Sequence, residues 1–255
     1  MNEQTEPDGH AGRAGSTGST GPAGPRHRAD RLDGAPAGGG FEGDPRFARG
    51  WVLASPMLER LGLARARRRL VDGLSGTVVE VGAGSGATFE HYPPEVRRVV
   101  AVEPDRHLRE HSRHRADRLV AASATGPSFE VVDAVAEALP VGDGEADAVV
   151  FGLVLCTVAD VPAALAEARR VLAPGGQVRL LEHVRAGGLP GRIADRIAPV
   201  WGRVGGGCRP NQDTGALLAA SGFDVSGLRT RPFPPVLPFM PMLSGASRPL
   251  GASAS

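Results

Sequence analysis

Residues 77–93, TVVEVGAGSGATFEHYP, carry the plainest chemistry in this chain: a β-branched run feeds a glycine-rich turn. Glycines there let backbone N–H groups approach a nucleotide, because a Cβ would stand in the way. Two spacings coexist. Gly82-x-Gly84-x-x-Ala87 satisfies the dinucleotide fingerprint in its G-x-G-x-x-A form, while Glu80-x-Gly82-x-Gly84-x-Gly86 sets an acid ahead of three alternating glycines. Glu103, closing the next apolar run RRVVAVEP, is placed to accept both hydroxyls of a ribose, which suits any adenosine ligand. The other acids discriminate. Glu80 would repel a diphosphate and attract a cation, and Glu90, expected in the first turn of a helix opened by Gly86, would do the same.

Candidates for a reacting group are fewer. His183 ends the run QVRLLEHV beside Glu182, and strand alternation lets only one of the two look into a cleft. Its imidazole could be a base, orient a substrate or be structural. Cys156 and Cys208 are too few and too far apart in sequence to imply a disulfide framework or a zinc site. Cys156 reads as a small core residue and Cys208 as a turn residue. His107, His111 and His114 share one helix face at metal-like spacing, but no carboxylate or cysteine completes the set. That face reads as hydrated, as does RARRR at 65–69, and no metal is expected.

Strands must position these groups. Apolar runs at 78–81, 99–102, 129–132, 147–155 and 177–184 predict five, and the second, fourth and fifth are continuous enough to be covered on both faces. Between the last two, Asp160 is the expected N-cap of a helix with Pro162 in its first turn. Val161, Ala164, Leu165, Ala168, Val171 and Leu172 form its core stripe, and Pro174-Gly175-Gly176 ends it. Phe47, Trp51, Leu58, Leu61, Leu63 and Leu70 mark a helical region interrupted near Pro56 and ending by Gly73. Later come a polar helix at 189–204, a short helix at 213–221 with Asp213 as its expected cap, a sixth strand within FDVSGLRTRPF and a weak seventh in PMLSGASRP. The fold class is therefore α/β: a Rossmann-like, doubly wound, mostly parallel seven-stranded sheet with helices on both faces.

The chain has 255 residues and a formal net charge of +1, so no global field selects nucleic acid or an anionic membrane. Residues 1–44 are Gly, Ala, Pro, Ser, Thr and charge with a single Phe, and are expected to be disordered, leaving 45–255 as the domain. No secretory h-region and no spanning apolar run is evident, which points to the cytoplasm.

DAVAEALP (133–140), VVFGLVLCTV (149–158), RRVLAPGG (169–176) and LLEHV (180–184), following the glycine loop in this order, resemble the class I S-adenosylmethionine (SAM)-dependent methyltransferases. HYPP, LVLCTV, LEHV and the late GGCRPNQDT with AASGF are most similar to the methyltransferase-like thiol methyltransferase branch. The resemblance implies SAM as cofactor. Glu80, Gly82, Ala83, Gly84 and Gly86 would cradle its methionine part, and Glu103 with Pro104 its ribose. Adenine would lie against 134–137, with the Ala136 N–H as donor. Val135 stands where many relatives have Asp, so Asp133 either substitutes or sits unengaged. Gly152 and Leu153 would pass under the methionyl chain, and His183 is the candidate catalytic residue. The implied activity is methyl transfer to a small or apolar acceptor, a thiol first. The alternatives are a quinone C- or phospholipid N-methyltransferase, or a non-catalytic SAM-binding regulatory module. The Trp51 helix and the 232–243 loop are expected lids. Anchored members of the branch begin with an apolar helix; the segment here is polar, so the anchor is not carried over as an expectation. The expected partner is a small molecule.

Overall fold

Apolar β-branched runs become the central strands of one seven-stranded sheet in the order β3-β2-β1-β4-β5-β7-β6. The computed structural model describes residues 45–123, 125–232 and 241–251. The segment expected to be disordered, 1–44, and most of the 232–243 loop lie outside them. β1 (Gly76–Val81), β2 (Val96–Val102), β3 (Ser128–Val132), β4 (Ala146–Gly152) and β5 (Leu172–His183) run parallel. β7 (Met242–Ser247) pairs antiparallel with β5, and β6 (Arg229–Arg231) pairs antiparallel with β7 at the edge. The weak seventh strand is thus the longer of the two and lies inside the three-residue sixth.

Each strand sends alternate residues to opposite cores. Val79, Val81, Val100, Val102, Val149 and Phe151 join the stripe of α4 (Val161–Val171) and Leu218 of α6 (Thr214–Ala220). Val78, Val99, Ala101, Ala148 and Val150 meet Leu70 and Val71 of α2 (Ala64–Val71), Phe89, Tyr92 and Ala116 of α3 (Arg106–Ala122). Asp160 and Asp213 cap α4 and α6 as expected, accepting from the Ala163 and Ala216 N–H groups.

Three expectations are corrected. The helix expected after Gly86 is a set of turns and one 3-10 turn, Phe89–His91. Pro93 and Pro94 follow at once, and proline cannot continue a helix while restricting the residue before it. The N-terminal helical region does not break at Pro56, which lies inside α1 (Pro45–Leu58). It breaks in a π-helical turn, Glu59–Leu63, where Gly62 has φ 122°. β4 ends at Gly152, short of the expected 155, because Leu153 turns to φ 63°. α5 (Gly188–Val204) follows β5. Among the described residues no helix is long and apolar enough to cross a membrane.

Candidate cofactor and acceptor site

The glycine loop leaves β1 at the carboxyl edge of the sheet, and Gly82, Gly84 and Gly86 all take positive φ, from 58° to 74°. The N–H groups of Gly82 and Ala83 donate to the Val102 carbonyl at 2.8 and 3.1 Å, drawing the loop over the end of β2. A Cβ on Gly82 would sit 2.2 Å from Val154 Cγ2, and one on Gly86 2.8 Å from the Phe89 ring. At Gly84 the nearest atom would be Trp51 Nε1 at 3.9 Å, so the middle of the loop is open beneath α1.

Glu103, at the end of β2, is buried and reaches back to this loop. Its Oε2 accepts the Gly84 N–H at 2.7 Å and its Oε1 the Asp105 N–H at 2.9 Å. Burial pushes its carboxyl up to about 7, against the pull of those two bonds. Asp105 caps α3, and Arg109 in the next turn donates to the Glu103 and Pro104 carbonyls and to Asp133 Oδ2. Asp133 thus pairs with Arg109 through Oδ2, while its Oδ1 is buried and takes no hydrogen bond among the described residues. Val135 pairs with Ala138 in a tight turn that presents Ala136. An adenosine ligand needs acceptors for ribose hydroxyls and for an exocyclic amino group, and Glu103 and the orphaned Asp133 oxygen supply both kinds. The residues fit SAM.

Glu80 lies deeper, buried in β1, where its Oε2 accepts the Tyr92 hydroxyl at 2.9 Å. Burial raises its carboxyl above the ordinary value, opposed by hydrogen bonds from Thr88 and Tyr92 and by the charge of Arg67. Arg67 corrects the reading of 65–69 as a solvated face. Its side chain is buried, with Nη1 on Thr88 Oγ1 at 3.1 Å and Nε on Glu59 Oε1 at 3.0 Å. Arg65, Arg68 and Arg69 stay exposed. Glu90, expected beside the ligand, instead ion-pairs with Arg115 of α3 at 2.8 Å. The histidines 107, 111 and 114 are all exposed.

At the carboxyl ends of β4 and β5 the backbone is strained and tied down. Leu153 is the one non-glycine residue with positive φ among the described residues. Its N–H donates to the Leu181 carbonyl at 2.7 Å. Glu182 is fully buried and accepts the Val154 and Leu155 N–H groups at 2.8 and 3.0 Å. Burial raises it to about 7. His183 is the half-buried member of the pair, and its Nδ1 lies 3.9 Å from Cys208 Sγ. Cys156 completes a cluster: the ligating atoms of Cys156, His183 and Cys208 all lie within 4.8 Å of one another. The Cys156 hydrogen bond, joined by His183 and opposed by burial, sets the Cys208 thiol below its ordinary value, while the same bond and burial push Cys156 up. Cysteines remote in sequence are adjacent here because loops after β4 and after α5 are stitched together. The Arg209 N–H donates to the Cys156 carbonyl at 2.8 Å, and Gln212 Nε2 to the Leu155 carbonyl at 3.1 Å.

The chain is similar in sequence and fold to known proteins. A family model described as a methyltransferase domain matches residues 79–180. Thiol S-methyltransferase TMT1B of Homo sapiens is 32% identical over 189 residues, covering 69% of this chain and 72% of its own length. The chain belongs to the class I SAM-dependent methyltransferases. Thiol S-methyltransferase TMT1A of Homo sapiens is 31% identical over 157 residues, 58% of this chain and 59% of that protein. Among solved structures, geranyl diphosphate methyltransferase in complex with SAM superposes with a TM-score of 0.60 at 16% identity, covering 84% of this chain and 94% of that one, a likeness of fold.

In this methyltransferase the expected positions Glu80, Gly82, Ala83, Gly84, Gly86, Glu103, Pro104, Asp133, Val135, Ala136, Gly152 and Leu153 all cluster along one edge, at the ends of β1 to β4 and the turns that follow. His183 stands at the end of β5, beyond β4. α1 bridges the two ends. Trp51 overhangs Gly84, and the Phe47 ring, stacked on Trp51 with centroids 6.2 Å apart, fills the space a Cβ on Gly206 would need.

Proposed function

We propose that this methyltransferase moves the methyl group of SAM onto a small apolar thiol in the cytoplasm. The observation that carries the reading is the 32% identity to a thiol S-methyltransferase over 72% of that protein's length. It is supported by a sulfur- and imidazole-bearing corner at the acceptor end of the cleft. SAM, when bound, supplies a methyl group on a sulfonium.

The chain's own residues then have distinct tasks. The Glu103 carboxylate, seated by the Asp105 N–H beside Pro104, accepts from the ribose hydroxyls. The orphaned Asp133 oxygen accepts from the adenine amino group, the Ala136 N–H donates to the ring, and Val135 walls it. The backbone of Gly82, Ala83, Gly84 and Gly86 surrounds the methionine part, with the negative charge of Glu80 below the ammonium. Leu153, strained at the end of β4 next to Gly152, fixes the floor under the methionyl chain. Trp51 and Phe47 of α1 act as a lid that excludes water, and the protein's main catalytic work is to align two reactants. The acceptor must lose its proton at the corner formed by Cys156, His183 and Cys208.

Incubating the purified protein with methyl-labelled SAM and ethanethiol or a longer alkanethiol should yield the labelled thioether. If the protein binds SAM and turns over no small thiol while a quinone or a lipid amine is methylated, the thiol reading is wrong.

A further inference from the structure

We propose that Cys156, His183 and Cys208 form a zinc site whose fourth position takes the acceptor thiol as a thiolate. The idea rests on the thiol reading above and deepens it. Two thiolates and an imidazole are the donor set that zinc prefers, and three protein ligands with one open position is the pattern of catalytic rather than structural zinc. In a tetrahedral site with Zn–S bonds of about 2.3 Å, neighbouring sulfurs stand about 3.8 Å apart. The Cys208 Sγ to His183 Nδ1 separation is 3.9 Å, and the whole set lies within 4.8 Å. Closing on a metal needs small side-chain adjustments.

The site is also built rather than incidental. Its three donors come from the loop after β4, the end of β5 and the loop after α5, and the two loops are held by other bonds. Glu182 holds the N–H groups of Val154 and Leu155 just before Cys156. Arg209, next to Cys208, donates from its backbone and side chain to the Cys156 carbonyl, and its guanidinium also reaches the Val158 carbonyl. Trp201 packs over both cysteines, which are buried, so His183 is the partly exposed side. Among the described residues no fourth His, Cys, Asp or Glu joins the set. Such outer support is what keeps ligands oriented in metal sites.

The chemistry balances without a redox partner. A thiol entering the open position gives up its proton to solvent, because coordination deprotonates a thiol outright. Its sulfur lone pair forms the new carbon–sulfur bond as the methyl–sulfonium bond breaks, and that electron pair leaves with the neutral adenosyl thioether. The methylated acceptor carries no charge, binds zinc weakly and departs.

The test uses the full chain, purified under reducing conditions with zinc and freed of excess metal. Elemental analysis should find about one zinc per chain, and Cys208→Ser and His183→Ala should each fall below about one tenth of that. Both variants should keep SAM affinity, which controls for folding, since neither residue is among those assigned to SAM. With cobalt in place of zinc, ethanethiol should raise the near-ultraviolet thiolate-to-metal absorption by about half, as two sulfur ligands become three. Substoichiometric metal in the unaltered chain, metal retained by both variants, or a cobalt spectrum unmoved by ethanethiol would each overturn the proposal. Full-rate thiol methylation by zinc-free protein would overturn it and leave the thiol reading standing. A responsive cobalt site without thioether formation would keep the metal site and remove the thiol methyltransferase reading.

Discussion

Glu103 Oε2 accepts the Gly84 N–H at 2.7 Å, so the carboxylate that ends β2 also pins the centre of the loop that follows β1. One side chain thereby ties the end of β2 to the glycine loop, the two parts of the candidate cofactor site. Glu103→Gln keeps the size but presents an NH2 group to backbone donors and drops the charge. SAM affinity should fall about 10- to 100-fold, the equivalent of losing a charge-assisted hydrogen bond to a buried ligand. Titration calorimetry on the variant checks this, and an unchanged Kd would remove Glu103 from the ribose.

The same carboxyl makes binding depend on pH. Burial raises Glu103 from an ordinary 4.5 to about 7, so below 7 it is largely protonated in the free protein. A ribose donating two hydrogen bonds favours the ionised form, so SAM must displace a proton there. Affinity should rise with pH to about 7 and level off above it, approaching tenfold per unit on the acid side. Calorimetry at pH 6 in buffers of different ionisation enthalpy should show close to one proton released per SAM. Stability without ligand runs the other way: a raised carboxyl binds more protons folded than unfolded, so stability falls as pH rises from 4.5 to 7. Thermal melts at pH 5 and 7 give the sign.

Arg67 lies among Thr88, Glu59 and Glu80, and its charge opposes the rise of the buried Glu80 carboxyl. Arg67→Met fills similar space but leaves Glu59 and Glu80 without their countercharge. Breaking a buried pair on one side costs about 3 kcal/mol, or roughly 6–12 °C in Tm for a domain of this size. Exposed Arg68→Met should leave Tm within a degree or two. Equal melting of the two variants would return Arg67 to the solvated face assigned to its neighbours.

Local signals carried β1, β2, β4, α4 and its Asp160 cap into the sequence reading, because each depends on period, capping or burial within a few neighbouring residues. The placement of Gly82, Glu103, Asp133 and Gly152 at the carboxyl edge was legible for the same reason: each follows an apolar run. What stayed hidden was made by distance. Arg67 sits in a basic run whose other arginines are exposed, and its contacts with Thr88 and Glu59 separate it from them. The Cys156–His183–Cys208 corner joins two loops through Arg209 and Gln212, contacts that no sequence spacing encodes. The helix expected after Gly86 failed on a cue that was present, the Pro93–Pro94 pair, outweighed there by the usual pattern of strand, glycine loop and helix.

Gly82 and Val154 offer a test of how the two ends of the cleft are coupled. A Cβ at Gly82 would overlap Val154 Cγ2 at 2.2 Å, and the φ of 68° strains any side chain whatever the space. Gly82→Ala should therefore destabilise by about 2–4 kcal/mol, part strain and part overpacking. Val154→Ala in the same chain removes the 2.2 Å contact but leaves the Val154 Cβ at 2.7 Å and the strain, so the relief is partial and the double variant should be more stable than the sum of the singles by about 1 kcal/mol. Val154 begins the loop that carries Cys156, with its N–H held by Glu182. Relief at Val154 should thus also restore thiol turnover more than it restores SAM affinity, which still meets the distorted glycine turn. Urea unfolding of the four proteins gives the coupling, and strict additivity would show that the glycine loop and the β4 loop do not press on each other.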